Sequence, residues 1–576
     1  MTRRKSMKRV YNILVILFGL LTVATMNSCS LDEQVYTEVD KGEYVKNAQQ
    51  AESVLLGVYK GLGVDGVYGH NLSMILDMPN DLSKAEGTST VGLRLQASNA
   101  YSTTDAEVQE TWAALYAGVY NANSFLETMA ARLPEFPEKE VGLGEIYVAE
   151  AKVLRAIYYF ELVRWFGNVP LITSTEMSRL HPSKFVQEEP VKVYEYIEKD
   201  LLEAIPVLPW VGEDSRTNTA FRISKGTAYG LLAKVYATWA GYPLQDKSKW
   251  ELAAGAAAEV VNSGKHSLVP SYKTLWTNCA NNVWNEKESL LEISYWSPQS
   301  TNTTSGRVGK WNGVSAANGS IKGSYNIALY KVNPKFVAEW KDYDKDERWS
   351  FAFADYKYTV DDGKTILANA KVNGVATDIT FEMAMNKDWL GWDISWRSKY
   401  SGQLSPRKWD IEEFVKDENQ LPDNNYSNVN WYVLRYADVL LLYAEALNEQ
   451  FGKPTSEAYE AINQVRRRGF GLDVTLPSAE ADLPADMTYV NFQQAIKDER
   501  SYELCHEGHR RQDLIRWGEY YETVQATYKK MMDWHENATE YYLGAEYTFK
   551  NKNELLPIPQ REMDLCEQFE QNQGWK

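Results

Sequence analysis

Trp284, Tyr295, Trp296 and Trp311 stand in a stretch otherwise rich in Asn, Gln, Ser and Thr. That mixture suits one chemistry. A flat aromatic face packs against the C–H face of a sugar ring, while amides and hydroxyls pair the sugar's hydroxyls, which are costly to bury unpaired. Asn80, Asp81, Arg94 and Tyr101 form a second polar and aromatic group, ahead of a helix expected to begin near Glu107. These eight residues are the candidate binding set; each ring taken alone reads more readily as ordinary core, and the set is expected to supply at least two ligand contacts.

Three other patterns touch on chemistry. Gly61, Gly63 and Gly66 match GxGxxG, but a dinucleotide site needs a strand before the glycines and a helix after them. Here a helix is expected before them, so the reading is a loop. His506, Glu507 and His509 resemble a zinc-protease motif one residue short. Histidines four apart share a helix face; with three-residue spacing and Gly508 between, Glu507 reads better as a polar contact at a helix junction. Carboxylates are abundant, with 78 Asp and Glu, but nothing in the pattern singles out a catalytic pair. No cofactor is expected, and no pattern is present by which a structural calcium ion would be recognised.

The elements that must position these residues read as mainly helical. Apolar residues at three- and four-residue spacing predict helices over about 48–62, 107–131, 144–166, 191–205, 225–240, 249–262, 430–449, 456–468 and 491–505. Gly167, Gly241, Gly264 and Gly469 stand where left-handed caps would end four of them. Helices in adjacent pairs with short turns suggest stacked hairpins of tetratricopeptide-like topology, without a clean 34-residue period. The scaffold is expected over about 42–270 and 425–545. Residues 271–424 read as a loop-rich insertion with short β-strands, one of them over 392–400, where Trp392 and Trp396 alternate with polar residues. Eleven of the 19 tryptophans lie between Trp276 and Trp431, and binding residues favour loops held by a rigid frame.

The amino terminus reads as a targeting segment. Arg3, Arg4, Lys5, Lys8 and Arg9 precede an apolar run over 10–25, too short for a membrane-spanning helix and typical of a signal peptide. Cys29 follows directly and resembles a lipobox cysteine, which would be acylated and become the first mature residue; an ordinary signal peptide with an incidental cysteine is the plainer alternative. Removing residues 1–28 takes the net charge from −17 to −17 − 5 = −22. A chain that acidic repels phosphate backbones, so nucleic acid is not an expected partner. Cys279, Cys505 and Cys566 are too few and too scattered for a disulfide framework.

Five segments together resemble the SusD/RagB family. They hold Ala149, Glu150 and Arg155 running on to Phe166, Gly167 and Pro170; Lys225, Gly226, Leu232 and Lys234; Arg435, Asp438 and Glu445, followed by Asn463 and Arg466 to 468; Glu499, Arg500, Glu507, Arg510, Asp513, Arg516 and Trp517; and Pro557, Pro559 and Asn572 near the end. Behind a lipobox and in family order, they span nearly the whole mature chain. The resemblance implies one SusD-like domain over 29–576 and a non-enzymatic, lipid-anchored protein on the outer face of the outer membrane. It also implies oligosaccharide capture and delivery to a SusC-like TonB-dependent outer-membrane barrel; capture of peptide, as in RagB-like members, is the alternative. It further implies that Arg435, Asp438 and Glu445 are helix–helix contacts and not ligand groups.

Overall fold

The computed structural model describes residues 44–86, 92–297, 304–319, 325–360, 363–367, 369–372, 375–378, 380–382, 403–417, 421–422, 425–531 and 544–576. The expected signal peptide, Cys29 and the strand expected over 392–400 lie outside the described residues.

Twelve of the helices among the described residues form the frame: α1 (Ala48–Lys60), α2 (Ala106–Arg132), α3 (Glu138–Phe166), α4 (Pro190–Ala204), α5 (Lys225–Ala240), α6 (Lys249–Asn262), α7 (Tyr272–Ala280), α8 (Tyr436–Phe451), α9 (Ser456–Gly469), α10 (Tyr489–Glu503), α11 (Arg510–Arg516) and α12 (Tyr520–Met531). Side-chain caps fix several starts by accepting from orphan N–H groups: Asn47 for α1, Asp105 for α2, Thr455 for α9, Thr488 for α10, and a reciprocal Ser224–Thr227 capping box for α5. Neighbours in sequence pack as antiparallel pairs, α2 on α3, α3 on α4, α5 on α6 and α8 on α9. The array closes because α6 also packs on α8, across the intervening insertion. α3 is its axis: from Ala149 to Phe166 only Lys152 and Arg164 are not fully buried, as a helix enclosed on all sides requires.

Two expectations need correction. Residues 431–435 are not the first turn of a helix. They form strand β8 (Trp431–Arg435), and α8 begins only at Tyr436. β8 pairs antiparallel with β2 (Ser289–Ile293), and that long-range partner overrides the local helical period. Gly241 and Gly469 are not left-handed caps either. Gly469 is the last residue of α9, and Gly241 is extended at φ −89°. A Cβ on Gly241 would lie 2.4 Å from the Arg516 carbonyl oxygen, so glycine is there for close packing. Gly167 and Gly264 do take positive φ.

Within the insertion, β4 (Tyr356–Thr359) pairs with β5 (Gly363–Ile366), and β6 (Asn369–Val372) with β7 (Val375–Asp378). β1 (Ser83–Ala85) of the early loop pairs with β3 (Tyr330–Val332). The fold is the expected helical scaffold carrying short two-stranded elaborations.

A sealed ionic cluster fastens β2 and β8 to the last helices. Arg435 donates to Glu288, Glu503 and Glu507 at 2.8–2.9 Å, and Arg468 to Glu288 and Glu503. Lys408 Nζ lies 2.7 Å from Glu507. Burial pushes the Glu503 carboxyl up, but the surrounding Arg468, Arg435, Arg348 and Lys408 outweigh it and hold it at about 2. The near-match to a zinc motif dissolves here. Glu507 is ion-paired, His506 Nε2 meets the Ala352 carbonyl at 3.0 Å, and His509 Nδ1 lies 3.0 Å from Lys234 Nζ.

Candidate ligand cleft

A cleft of about 580 Å³ opens between the end of α1 and the outer side of β2. Leu56, Tyr59 and Lys60 come from α1, and Gly63, Val64 and Asp65 from the turn after it. Phe221, residues 291–295, Thr304, Ser305 and Tyr426 complete the walls. The glycines of the GxGxxG match shape this turn. After α1 the chain tightens into a short 3₁₀ turn and then folds back, so that a Cβ on Gly69 would lie 2.7 Å from the Gly63 carbonyl oxygen. The helix α1, not a strand, stands directly before these glycines, and they serve packing of the turn.

The walls are aromatic and held rigid. The Tyr59 hydroxyl donates to Glu150 at 2.5 Å and accepts from the Ile223 N–H at 3.0 Å. Burial, and next the Glu150 charge, push its phenol well above the usual range. Tyr59 therefore offers its ring, which meets Phe221 edge-on at 6.4 Å; Phe221 in turn tilts against Trp284 at 5.9 Å. On the opposite side Asp65 is held by Arg307, with Nη2 at 2.7 Å and Nε at 3.1 Å. The Arg307 guanidinium lies 4.9 Å over the Tyr426 ring and 5.2 Å over the Trp311 ring. One charged pair thus braces two aromatic side chains.

Of the eight candidate residues, one lines this cleft and two stand behind its walls. Tyr295 lines it, Trp284 extends the Tyr59–Phe221 row, and Trp311 backs the Arg307 wall. Trp296 follows Tyr295 in the chain and is 56% exposed. Its carbonyl accepts from the Thr304 hydroxyl. The other four lie elsewhere. Asn80 is fully buried, and its side-chain oxygen caps the Leu82 and Ser83 N–H groups. Asp81 is buried in a bidentate pair with Arg510, both contacts 2.8 Å; burial raises its carboxyl, and Arg510 outweighs that to hold it below the usual range. Arg94 Nε donates to the Glu86 carbonyl. Tyr101 is stacked on Trp575 at 5.2 Å and accepts from Arg511. Asn80, Asp81 and Tyr101 are thereby occupied in structural contacts.

Sequence reasoning missed Leu56, Tyr59, Phe221, Tyr426, the Asp65–Arg307 pair and Glu292. Only Glu292 left a signal, as a charge inside the apolar run Leu290, Leu291 and Ile293. Burial pushes its carboxyl up to about 7.

Comparison with known proteins places the fold. The SusD family model matches residues 275–575, and a second, described as starch-binding associating with outer membrane, matches residues 33–237. The chain belongs to the SusD family. It is similar to the crystal structure of a SusD homologue from Bacteroides thetaiotaomicron, at 47% identity and a TM-score of 0.87 over 94% of this chain and 100% of that one. A laminarin-binding SusD-like protein is 26% identical with a TM-score of 0.64, over 92% of this chain and 100% of that one. SusD-like protein P25 of Formosa agariphila is 24% identical over 99% of this chain and all of its own length.

Proposed function

We propose that the protein captures oligosaccharide in the cleft between α1 and β2. It is held at the outer face of the outer membrane through lipid on Cys29, and it passes its ligand to a SusC-like TonB-dependent barrel without chemical change. The observation that carries the reading is the arrangement of the cleft. Tyr59, Phe221, Tyr295 and Tyr426 line a volume sized for a short saccharide, with Trp284 packed on Phe221, and Asp65, Ser294, Thr304 and Ser305 add polar groups to the same walls. Stacking supplies affinity and the polar groups fix orientation. Family membership and the laminarin-binding relative support a saccharide as the ligand. Tethering beside a transporter raises the local ligand concentration at its mouth.

The test is calorimetric titration of soluble protein beginning at Ser30 with laminarihexaose, maltohexaose, other neutral and acidic glycans, and a tryptic peptide mixture. Trp284→Ala and Trp296→Ala are run in parallel. A glycan that binds wild type and loses about tenfold or more in affinity with Trp284→Ala is the expected result, since loss of one stacking ring costs about 1–2 kcal/mol. Binding of peptides alone overturns the ligand class; glycan binding unaffected by either substitution moves the site away from this cleft.

A further inference from the structure

A second cavity, of about 350 Å³, opens against α2 and shares no lining residue with the cleft. Trp112, Tyr116 and Tyr120 line it at four-residue spacing, which puts all three on one face of that helix. Phe185, from the segment between α3 and α4, and Phe569, from the carboxyl-terminal tail, complete the aromatic lining. The walls are fastened. The Tyr116 hydroxyl donates to the Pro170 carbonyl at 2.9 Å, and the Trp112 ring lies 5.0 Å from those of both Tyr116 and Phe166. The tail is stitched to the segment before α4 by the Gln568 amide on the Ser183 carbonyl at 2.9 Å and the Glu570 N–H on the Gln187 side chain at 2.6 Å. Packed interiors leave few voids larger than a water molecule, and this one is of ligand size.

Two polar groups of the lining lack partners. The Trp112 side chain is 4% exposed, yet its indole N–H meets no acceptor among the described residues; unlike the unpaired indole N–H of Trp284, it is not sealed from solvent. The half-buried Glu562, in the short helix Gln560–Leu565, forms no side-chain hydrogen bond or ion pair among the described residues. Burial raises its carboxyl above the usual range, and the charge of Arg561, its exposed chain neighbour, pulls the other way without a contact. The Tyr116 phenol is raised first by burial and then by the Tyr159 and Glu562 charges, which puts the carboxylate beside the aromatic row. No cationic side chain is among the residues that line the cavity.

We propose that this cavity is a second binding site, for an amino sugar: the ligand's protonated amine pairs with Glu562, the C–H face of its ring packs on the aromatic row of α2, and a ring or hydroxyl oxygen accepts from the Trp112 N–H. The chemistry is set by what is missing. A half-buried carboxylate without a counter-ion favours a cation, and the rings around it add cation–π attraction. A bare alkylammonium would satisfy the acid and leave the indole N–H unpaired; a neutral sugar would do the reverse. A sugar carrying an amine satisfies both. The site is separate from the capture cleft, and either reading can fail alone.

The test is calorimetric titration of soluble protein beginning at Ser30 with a glucosamine trisaccharide, its N-acetylated counterpart and tetramethylammonium, at pH 6.5, where a sugar amine is protonated. Glu562→Gln, Tyr120→Ala, Trp112→Phe and, as the probe of the α1–β2 cleft, Trp284→Ala are run beside wild type, each with a melting curve. Wild type should bind the glucosamine trisaccharide about tenfold more tightly than the N-acetylated one, and added salt should weaken that binding. Glu562→Gln should lose about tenfold together with the salt dependence. Tyr120→Ala should lose about threefold, and Trp112→Phe, which keeps a ring but no N–H, about fivefold. Glu562 and Tyr120 reach the surface, so their variants serve if Trp112→Phe fails to fold. If the glucosamine trisaccharide binds and only Trp284→Ala weakens it, the ligand sits in the α1–β2 cleft and the inference is overturned. Equal binding of both trisaccharides, binding of tetramethylammonium alone, or no binding overturns it as well. The capture reading is judged separately, by its own titration with laminarihexaose.

Discussion

Replacing Arg435 by Met removes one charge from the cluster that clamps β2, the inner wall of the cleft. Arg348, Lys408, Arg435, Arg466 and Arg468 are five cations; Glu288, Asp346, Glu499, Glu503 and Glu507 are five carboxylates in contact with them. The balance is neutral, and Arg435 is itself 1% exposed. Arg435→Met leaves one negative charge uncompensated with no water to solvate it. Breaking a buried pair from one side costs about 3–5 kcal/mol. Each carboxylate it touches keeps another cation, Arg468 for Glu288, Arg348 and Arg468 for Glu503, and Lys408 for Glu507, so the lower part of that range is expected. At about 2.1 cal/mol/K per residue, a chain of 576 residues has an unfolding entropy of about 1.2 kcal/mol/K, and about 3–4 kcal/mol becomes a fall of roughly 3 °C in Tm. Differential scanning calorimetry at pH 7.5 measures it. Lowering the pH towards 4.5 lets a stranded carboxylate take up a proton, so the gap between variant and wild type should narrow. Adding Glu507→Gln to Arg435→Met should recover part of the loss. A variant that melts at or above wild type at pH 7.5, or whose deficit is the same at both pH values, would refute the account of this cluster as a charge-balanced clamp.

Acid should destabilise the protein in two stages. Burial holds His70 and His506 at about 3 and His266 at about 4 in the fold, below the unfolded value of 6.5. Each therefore contributes stability that is full above pH 6.5 and lost on acidification, by about 1.4 kcal/mol per pH unit. Glu503 and Asp513 stand at about 2, where their arginine partners outweigh burial, so a second loss runs from about pH 4.5 down to about 2. Glu292 and Asp77, raised by burial to about 7 and about 6, act in the opposite sense over the upper part of this range, but the three histidines outweigh them. Melting curves from pH 8 to 3 should decline from about 6.5 and steepen below 4.5, and a plateau down to pH 4.5 contradicts the assignment. Asp81→Asn should cost about 2–3 kcal/mol by stranding Arg510, with glycan affinity unchanged, as checked by melting and titration together. Trp575→Ala removes a ring stacked on Tyr101 whose indole N–H is shared between the Lys552 and Leu555 carbonyls. It should cost about 3 kcal/mol and leave the cleft's affinity intact.

The helical scaffold was legible because its signals are local. Apolar spacing places α5 and α9 to within a residue or two. β8 was not, because residues 431–435 carry apolar side chains that suit either period, and the partner that decides between them lies some 140 positions earlier in β2. The candidate site divides along the same line. Tyr295 lines the cleft, with Trp284 and Trp311 behind its walls, because one compact stretch supplies them. Asn80, Asp81 and Tyr101 are tied up by Arg510, Arg511 and Trp575 or by their own turn. Phe221 and Tyr59 escaped notice because their apposition to Trp284 depends on how α1 and the segment before α5 meet in space.

The pairing of β2 with β8 also bears on the order in which the molecule becomes competent. As the chain emerges from its amino end, every lining residue of the cleft from Leu56 to Tyr426 precedes the strand and helices that lock it. Until Arg435, Arg468 and the carboxylates of α10 arrive, Glu288 has neither of its cations and β2 has no strand to lie against. A nascent or truncated chain ending before residue 435 therefore carries all the wall residues but no fixed wall. The wall of the cleft is complete only once these last elements are in place.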